Sequence, residues 1–248
     1  MPLGLLLLVQ IAFAAHAVKT GRTQPWLYVI LFLPGIGCLL YAALEIAPNL
    51  AGGRTGRRVA GSVAQAVNPG RDYRALAREV DIAPTVHNRL RLADECLRLG
   101  RAPEALAIYE GCQEGMYAAD PAVRMGIARA RHATGDFNGA IAILESLARD
   151  SPDARTTDGH LLYAMSLEGA GRTGDALREY AALVGPFPGE EVRCRYAALL
   201  ARSGSTGPAR AQYEEVVRRV ELQGGVYRRA QRPWYDQARA ALRAAPAA

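Results

Sequence analysis

The chain is predicted to be all-α, a two-helix transmembrane hairpin followed by an α-solenoid of about four helix pairs with capping helices. Three observations predict it. A turn-and-helix phrase recurs as "GRAPEALAIY" from Gly100, "GDFNGAIAIL" from Gly135, "GRTGDALREY" from Gly171 and "GSTGPARAQY" from Gly204. The four glycines are 35, 36 and 33 residues apart, a period at which helical repeats stack. The first 44 residues carry only two charged side chains, Lys19 and Arg22.

Residues 1–48 read as the hairpin, with spans about 3–18 and 25–44. At roughly 1.5 Å per residue, each uncharged run approaches the ~30 Å hydrocarbon thickness. "KTGR", Lys19 to Arg22, is too short a joint for anything but an antiparallel return. Trp26, Tyr28 and Tyr41 lie where interfacial aromatic anchors belong. "PGIG", Pro34 to Gly37, breaks the second run, which lipid tolerates where a neighbouring helix covers the break. The rival reading is a signal peptide cleaved at "AHA", Ala15 to Ala17. "MPLG" offers it no positive side chain, and a second apolar run follows at once.

Residues Gln10 to Tyr41, with His16, "KTGR", "PWLY" and "LPGIG" in order, resemble the amino-terminal membrane hairpin of cardiolipin synthases and related phospholipase-D-type proteins. The resemblance implies membrane insertion and, by analogy, an accessory part or an enzymatic part in phospholipid metabolism. Catalysis in that superfamily needs two HxKxxxxD motifs. None of the four histidines here (His16, His87, His132, His160) begins an HxK, so no catalytic residue is carried over.

Residues 49–70 form a glycine-rich basic tether, with Arg54, Arg57 and Arg58 and no acid. The positive-inside rule places the following domain in the cytoplasm, on a bacterial inner membrane. The same three arginines are candidate contacts for anionic lipid headgroups. Net charge is +5 over residues 1–80, −4 over 81–217 and +5 over 218–248. An acidic solenoid does not track phosphates, so nucleic acid is not expected as a partner. The cysteines (Cys38, Cys96, Cys112, Cys194) form no metal or haem spacing. Cys96 and Cys112 read as small buried side chains, with a disulfide as the alternative.

Residues 71–248 are the solenoid, with repeats about 86–121, 122–152, 155–188 and 190–221 and a rear cap about 233–245. Five residues after each repeat glycine stands Ala105, Ala140, Ala176 or Ala209, and seven before it Ala93, Ala128, Ala164 or Ala197. Two antiparallel helices crossing at such alanines come close together. Leu92, Ile127, Tyr163 and Tyr196, with Tyr109, Leu144, Tyr180 and Tyr213, then fill the space between hairpins. The glycines supply the left-handed turn that ends each first helix, and Pro121, Pro152 and Pro188 fall between units. "RDYRALAREV", from Arg71, is an amphipathic front cap.

This spacing resembles the tetratricopeptide repeat: a large residue, a small one, then Gly, Ala, an aromatic and Pro. It departs in two ways. Arg89, Arg124, His160 and Arg193 stand in the place of the early tryptophan, and Leu144 in the place of an aromatic. Hairpin, tether and "PTVHNRLRLADECLRLGR" at Pro84 together resemble a group of bacterial membrane-anchored tetratricopeptide proteins, a likeness that implies architecture and no particular chemistry.

Such solenoids bind peptides or partner helices along the first helices of each pair. That face maps here to His87, Leu90, Asp94, Leu97, Arg98, Met125, Arg129, His132, Leu161, Met165 and Arg202. Leucine and methionine suit an apolar partner segment, and the arginines suit a carboxylate. The lysine/asparagine clamp for a carboxy-terminal carboxylate is absent. His87 and His132 lie on neighbouring first helices without further ligands, so no metal or cofactor is expected, and no nucleophile–base set appears. The expected function is a membrane-anchored protein–protein interaction scaffold. The alternative is a periplasmic assembly factor resembling the tetratricopeptide component of cytochrome c maturation, although that family has a longer loop between its spans. Partner identity and oligomeric state are left open by the sequence.

Overall fold

The structure is a computed structural model that describes residues 70–154 and 156–244. The predicted hairpin and most of the predicted tether, including Arg54, Arg57, Arg58 and Cys38, lie outside the described residues. The chain divides after Asp72, and the solenoid is the unit beginning at Tyr73. Among the described residues there are eleven α-helices and no strand: α1 (Arg71–Ile82), α2 (Val86–Arg98), α3 (Ala102–Glu110), α4 (Pro121–Thr134), α5 (Phe137–Asp150), α6 (Thr157–Gly169), α7 (Thr173–Leu183), α8 (Glu191–Arg202), α9 (Thr206–Leu222), α10 (Gly224–Ala230) and α11 (Arg232–Ala244). None of them is long and apolar enough to cross a membrane.

Four hairpins result: α2–α3, α4–α5, α6–α7 and α8–α9. All four are closed by the same turn. Gly100, Gly135, Gly171 and Gly204 take φ of 74°, 85°, 76° and 88°, a region that L side chains enter only at a cost. In each turn the amide following the glycine returns to the carbonyl four residues before it: Arg101 to Cys96, Asp136 to Arg131, Arg172 to Leu167, Ser205 to Leu200, at 2.8–2.9 Å. This 6→1 bond satisfies a carbonyl that the helix end would otherwise leave without a donor. Pro121 does not simply separate units. It opens α4 at the first helical position, where its missing N–H costs nothing. The Asp120 carboxylate there accepts from Ala122 N and Val123 N at 2.8 and 3.2 Å.

The eight crossing alanines are all buried, none more than 2% exposed. Beside them Tyr109, Leu144, Tyr180 and Tyr213 are buried as well. Each hairpin also packs on the next, α3 on α4, α5 on α6 and α7 on α8. The core therefore runs along the stack as buried clusters rather than around one centre. Tyr109 shows why glycine occurs inside α4: a Cβ on Gly126 would lie 2.3–2.7 Å from its ring carbons.

The ends are sealed differently. In front, Tyr73, Leu76, Ala77 and Val80 of α1 pack on the first cluster, and Tyr73 donates to Glu104 at 2.7 Å. At the rear, α9 packs on α11, with the short α10 between them. The fully buried Glu190 holds this end. It accepts from Arg219 Nε at 2.9 Å and the Tyr227 hydroxyl at 2.8 Å, and its own N–H donates to the Gln231 side chain at 3.0 Å. Cys96, Cys112 and Cys194 are free buried thiols, so the disulfide alternative falls. Burial pushes Cys96 up to about 11 and Cys194 up to about 12, leaving both protonated at neutral pH.

Two glycine substitutions separate packing from propensity. Gly126→Ala drives a methyl into the Tyr109 ring and is expected to cost about 1–3 kcal/mol. Gly174→Ala, in the first turn of α7 with nothing within 4 Å of the added carbon, is expected to gain about 0.4–1 kcal/mol by stiffening the unfolded chain. Urea denaturation followed by circular dichroism checks both; equal effects would contradict the packing account.

Candidate partner-binding groove

The first helices α2, α4, α6 and α8 form one face of the solenoid, with α2 against α4 and α4 against α6. Of the residues that the sequence assigns to it, His87 is exposed, while Leu90 and Leu97 are half-buried with their inner sides on the first core cluster. Met165 packs in the same way on the second. Met125 is half-buried and reaches across to α6, where its Cε would lie 2.8 Å from a Cβ on Gly159. Leu161 is different. It is only 7% exposed and belongs to the second core cluster, so it supports the face without presenting much surface.

The polar members of the face meet one another. Arg129 of α4 pairs with Asp94 of α2 at 3.0 Å. His132 Nδ1 of α4 lies 3.0 Å from Ser166 Oγ of α6. Because that hydroxyl already donates to the Leu162 carbonyl at 2.8 Å, it accepts from the histidine, which fixes the Nδ1–H tautomer. Arg202 of α8 pairs with Glu168 of α6. Each neighbouring pair of first helices is thus tied by one polar contact. Both carboxylates also receive a tyrosine from the second helix of their own unit: Tyr109 donates to Asp94 and Tyr180 to Glu168, each at 2.6 Å. The remaining arginine, Arg98, grips Glu95 of its own helix at 2.5 and 2.6 Å.

Electrostatics follow from burial. The Tyr109 and Tyr180 hydroxyls are pushed well above the ordinary tyrosine value, first by burial and then by the carboxylate each one faces. His132 is held below its ordinary value by burial and, less strongly, by Arg195. Its ring also meets Phe137 edge-on at 5.3 Å, so its partners are Ser166 and Phe137 rather than a second metal-ligating histidine. Among the described residues no group of three or more His, Cys, Asp or Glu could hold a metal ion.

The sequence reading missed a cleft of about 700 Å³ between α5, α6 and α7. Leu144, Leu147 and Leu183 form its apolar floor. At its edge Tyr163 donates to Glu145 at 3.0 Å, and His160 Nε2 lies 2.6 Å from Glu179. The signal was present: Leu144 and His160 are two places where the repeat pattern lacks its usual aromatic, and smaller side chains there leave space.

Residues 97–164 match the tetratricopeptide repeat family. The described solenoid is a tetratricopeptide-repeat fold. TTC0263, a thermophilic tetratricopeptide repeat protein of Thermus thermophilus, is similar in structure, with a TM-score of 0.56, 17% identity and coverage of 75% of this chain and 96% of that one. The MamA RS-1 ArsTM double mutant gives 0.54 at 11% identity, covering 72% and 97%. MamA MSR-1 C2 gives 0.51 at 16%, covering 68% and 96%. At these identities the likeness concerns the fold alone. No curated protein matches the sequence.

The depressed histidine makes stability depend on pH. Above its ordinary value of 6.5, His132 is neutral in both states. As pH falls below that value the unfolded chain takes up the proton first, so stability is lost through the window down to the folded value. Wild type is therefore expected to lose more urea resistance between pH 7 and 5 than His132→Gln, whose amide keeps a donor for Ser166. Parallel pH profiles would contradict this.

Proposed function

We propose that this protein is a membrane-anchored interaction scaffold whose first-helix face holds an apolar segment of a protein partner. The repeat fold supports a role in protein–protein interaction. The observation that carries the finer reading is the state of the charges on that face. Asp94, Arg129, Glu168 and Arg202 already neutralise one another across neighbouring units, and Arg98 is engaged by Glu95. A partner carboxylate would have to displace these pairs, whereas Leu90, Leu97, Met125 and Met165 keep part of their surface free. An amphipathic helix or extended segment with leucine-sized anchors suits such a face. Methionine adapts to partners of varied shape. This shifts the expected ligand away from the carboxylate that the arginines suggested in sequence.

Anchoring rests on the uncharged runs 1–18 and 23–44, and a cytoplasmic solenoid on the basic tether behind them. The proposal involves no catalysis and no cofactor. Scaffolding at a bilayer needs only a docking face and a hold on the membrane.

A photoreactive amino acid placed in the full chain tests the docking face. In native membranes, probes at Leu97 and Met165 are expected to trap one and the same protein. A probe at Arg178, exposed on the second helix α7, is expected to trap it at least roughly tenfold less. Charge insertion by Leu97→Glu with Met165→Glu would be expected to abolish the adduct formed from a probe at Leu90. Equal trapping from both sides would overturn the proposal.

A further inference from the structure

The arginines of this solenoid are unevenly employed. From Arg91 to Arg219, every described arginine except Arg149 has a carboxylate within 4 Å. Beyond Arg219 only Arg232 does, at 3.5 Å from Asp236. Arg228, Arg229, Arg239 and Arg243 are exposed and have no carboxylate partner among the described residues. They also lie together. Arg228 of α10 and Arg239 of α11 both stack on the Tyr235 ring, at 5.7 and 5.5 Å from its centroid. Arg239 and Arg243 follow Tyr235 at four-residue intervals along α11, flanking its buried stripe.

Next to these charges stand two side chains with no cover. Leu222 is 73% exposed and Val226 is 85% exposed, and they bracket the turn at Gly224, which has φ 83°. The seven-residue α10 carries Arg228 and Arg229 in its last turn and leaves Val226 in water. Its inward anchor is Tyr227, held by Glu190.

We propose that this rear cap is a contact surface for an anionic phospholipid bilayer. The four arginines would meet headgroup phosphates, and Leu222 and Val226 would enter the headgroup–acyl boundary. Interfacial elements join basic and apolar side chains in this way. Single-stranded nucleic acid would find the same positive charge, but it would also need exposed rings on which to stack bases, and a duplex, met through its phosphates, would leave Leu222 and Val226 in water. The rings here face inward: Tyr227 bonds Glu190, Tyr235 bonds Glu221 at 2.9 Å, and Trp234 packs on the third core cluster under Arg195. Aliphatic exposure beside arginine favours lipid. The surface differs from the tether arginines and from the first-helix face, so it extends the anchored-scaffold reading without depending on it.

The full chain, reconstituted into vesicles of phosphatidylcholine alone or with phosphatidylglycerol, provides the test. Amide hydrogen exchange over residues 222–244 is expected to slow when phosphatidylglycerol is present. Replacing Arg228, Arg229, Arg239 and Arg243 by Gln is expected to remove the slowing, each residue weakening docking roughly fivefold. Leu222→Ser with Val226→Ser, which leaves the charges in place, is expected to reduce it. Exchange that is indifferent to lipid charge, or slowing that survives the four glutamines, would overturn the proposal. So would slowing brought about by a DNA duplex and not by phosphatidylglycerol. Alkaline carbonate extraction of the same vesicles reads the amino-terminal anchor separately, so failure of one reading is distinguishable from failure of the other.

Discussion

The close crossing of two helices at paired alanines is the constraint on which the rest of this structure depends. Ala93 with Ala105, Ala128 with Ala140, Ala164 with Ala176 and Ala197 with Ala209 are sealed inside their hairpins. A methyl group buries little area, so the stabilisation does not come from the alanines themselves. Their contribution is geometric. They allow a hairpin thin enough for the larger Tyr109, Leu144, Tyr180 and Tyr213 to fill the gap to its neighbour. The repeat glycines serve the same end by reversing the chain within one left-handed residue and one returning hydrogen bond. A hairpin built this way leaves an apolar side uncovered unless another hairpin stacks on it, and at the ends α1 and α10–α11 supply that cover.

Stacking in turn determines what the first-helix face can do. Exposed ion pairs contribute little to stability, roughly 0–1 kcal/mol each. The contacts Asp94–Arg129, His132–Ser166 and Glu168–Arg202 are better understood as fixing the register of one first helix on the next. Their tyrosine donors, Tyr109 and Tyr180, carry that register back into the core. Unit two has Leu144 where its neighbours have tyrosine, and there the link is a neutral histidine with a serine. With these groups satisfied by each other, the apolar surface left on that face belongs to Leu90, Leu97, Met125 and Met165. The rear cap inverts the arrangement: among the described residues Arg228, Arg229, Arg239 and Arg243 have no carboxylate partner, and Leu222 and Val226 are bare.

Much of the solenoid was legible in sequence because its determinants are local. A glycine at positive φ and an alanine at a crossing are demanded by sterics at single positions, and they recur at the repeat period. The paired groove charges were harder to see. Asp94 and Arg129 are 35 residues apart, and His132–Ser166 and Glu168–Arg202 are each 34 apart. These separations stay within two residues of the 33–36-residue glycine spacing, so for the two ion pairs opposite charges about one period apart were the readable sign. Leu161 illustrates the limit of periodicity: a helical stripe names a face, and between stacked helices part of that face is core. α10 is not legible because "QGGVY" looks like a turn, and the carboxylate that anchors it through Tyr227, Glu190, is distant in sequence. The cleft between α5, α6 and α7 was foreshadowed by Leu144 and His160, which depart from the aromatic pattern, though nothing in the sequence showed that both departures border one space.

If alanine crossings hold the hairpins in one stack, a disturbance at a single crossing should spread to its neighbours and fade with distance. Native-state hydrogen exchange on Ala164→Leu measures this most directly. Protection is expected to fall most in α6 and α7, less in α5 and α8, and hardly at all in α2 and α3. Unchanged protection of α6 and α7 would contradict the account, since the crossing would then not be what holds the hairpin together.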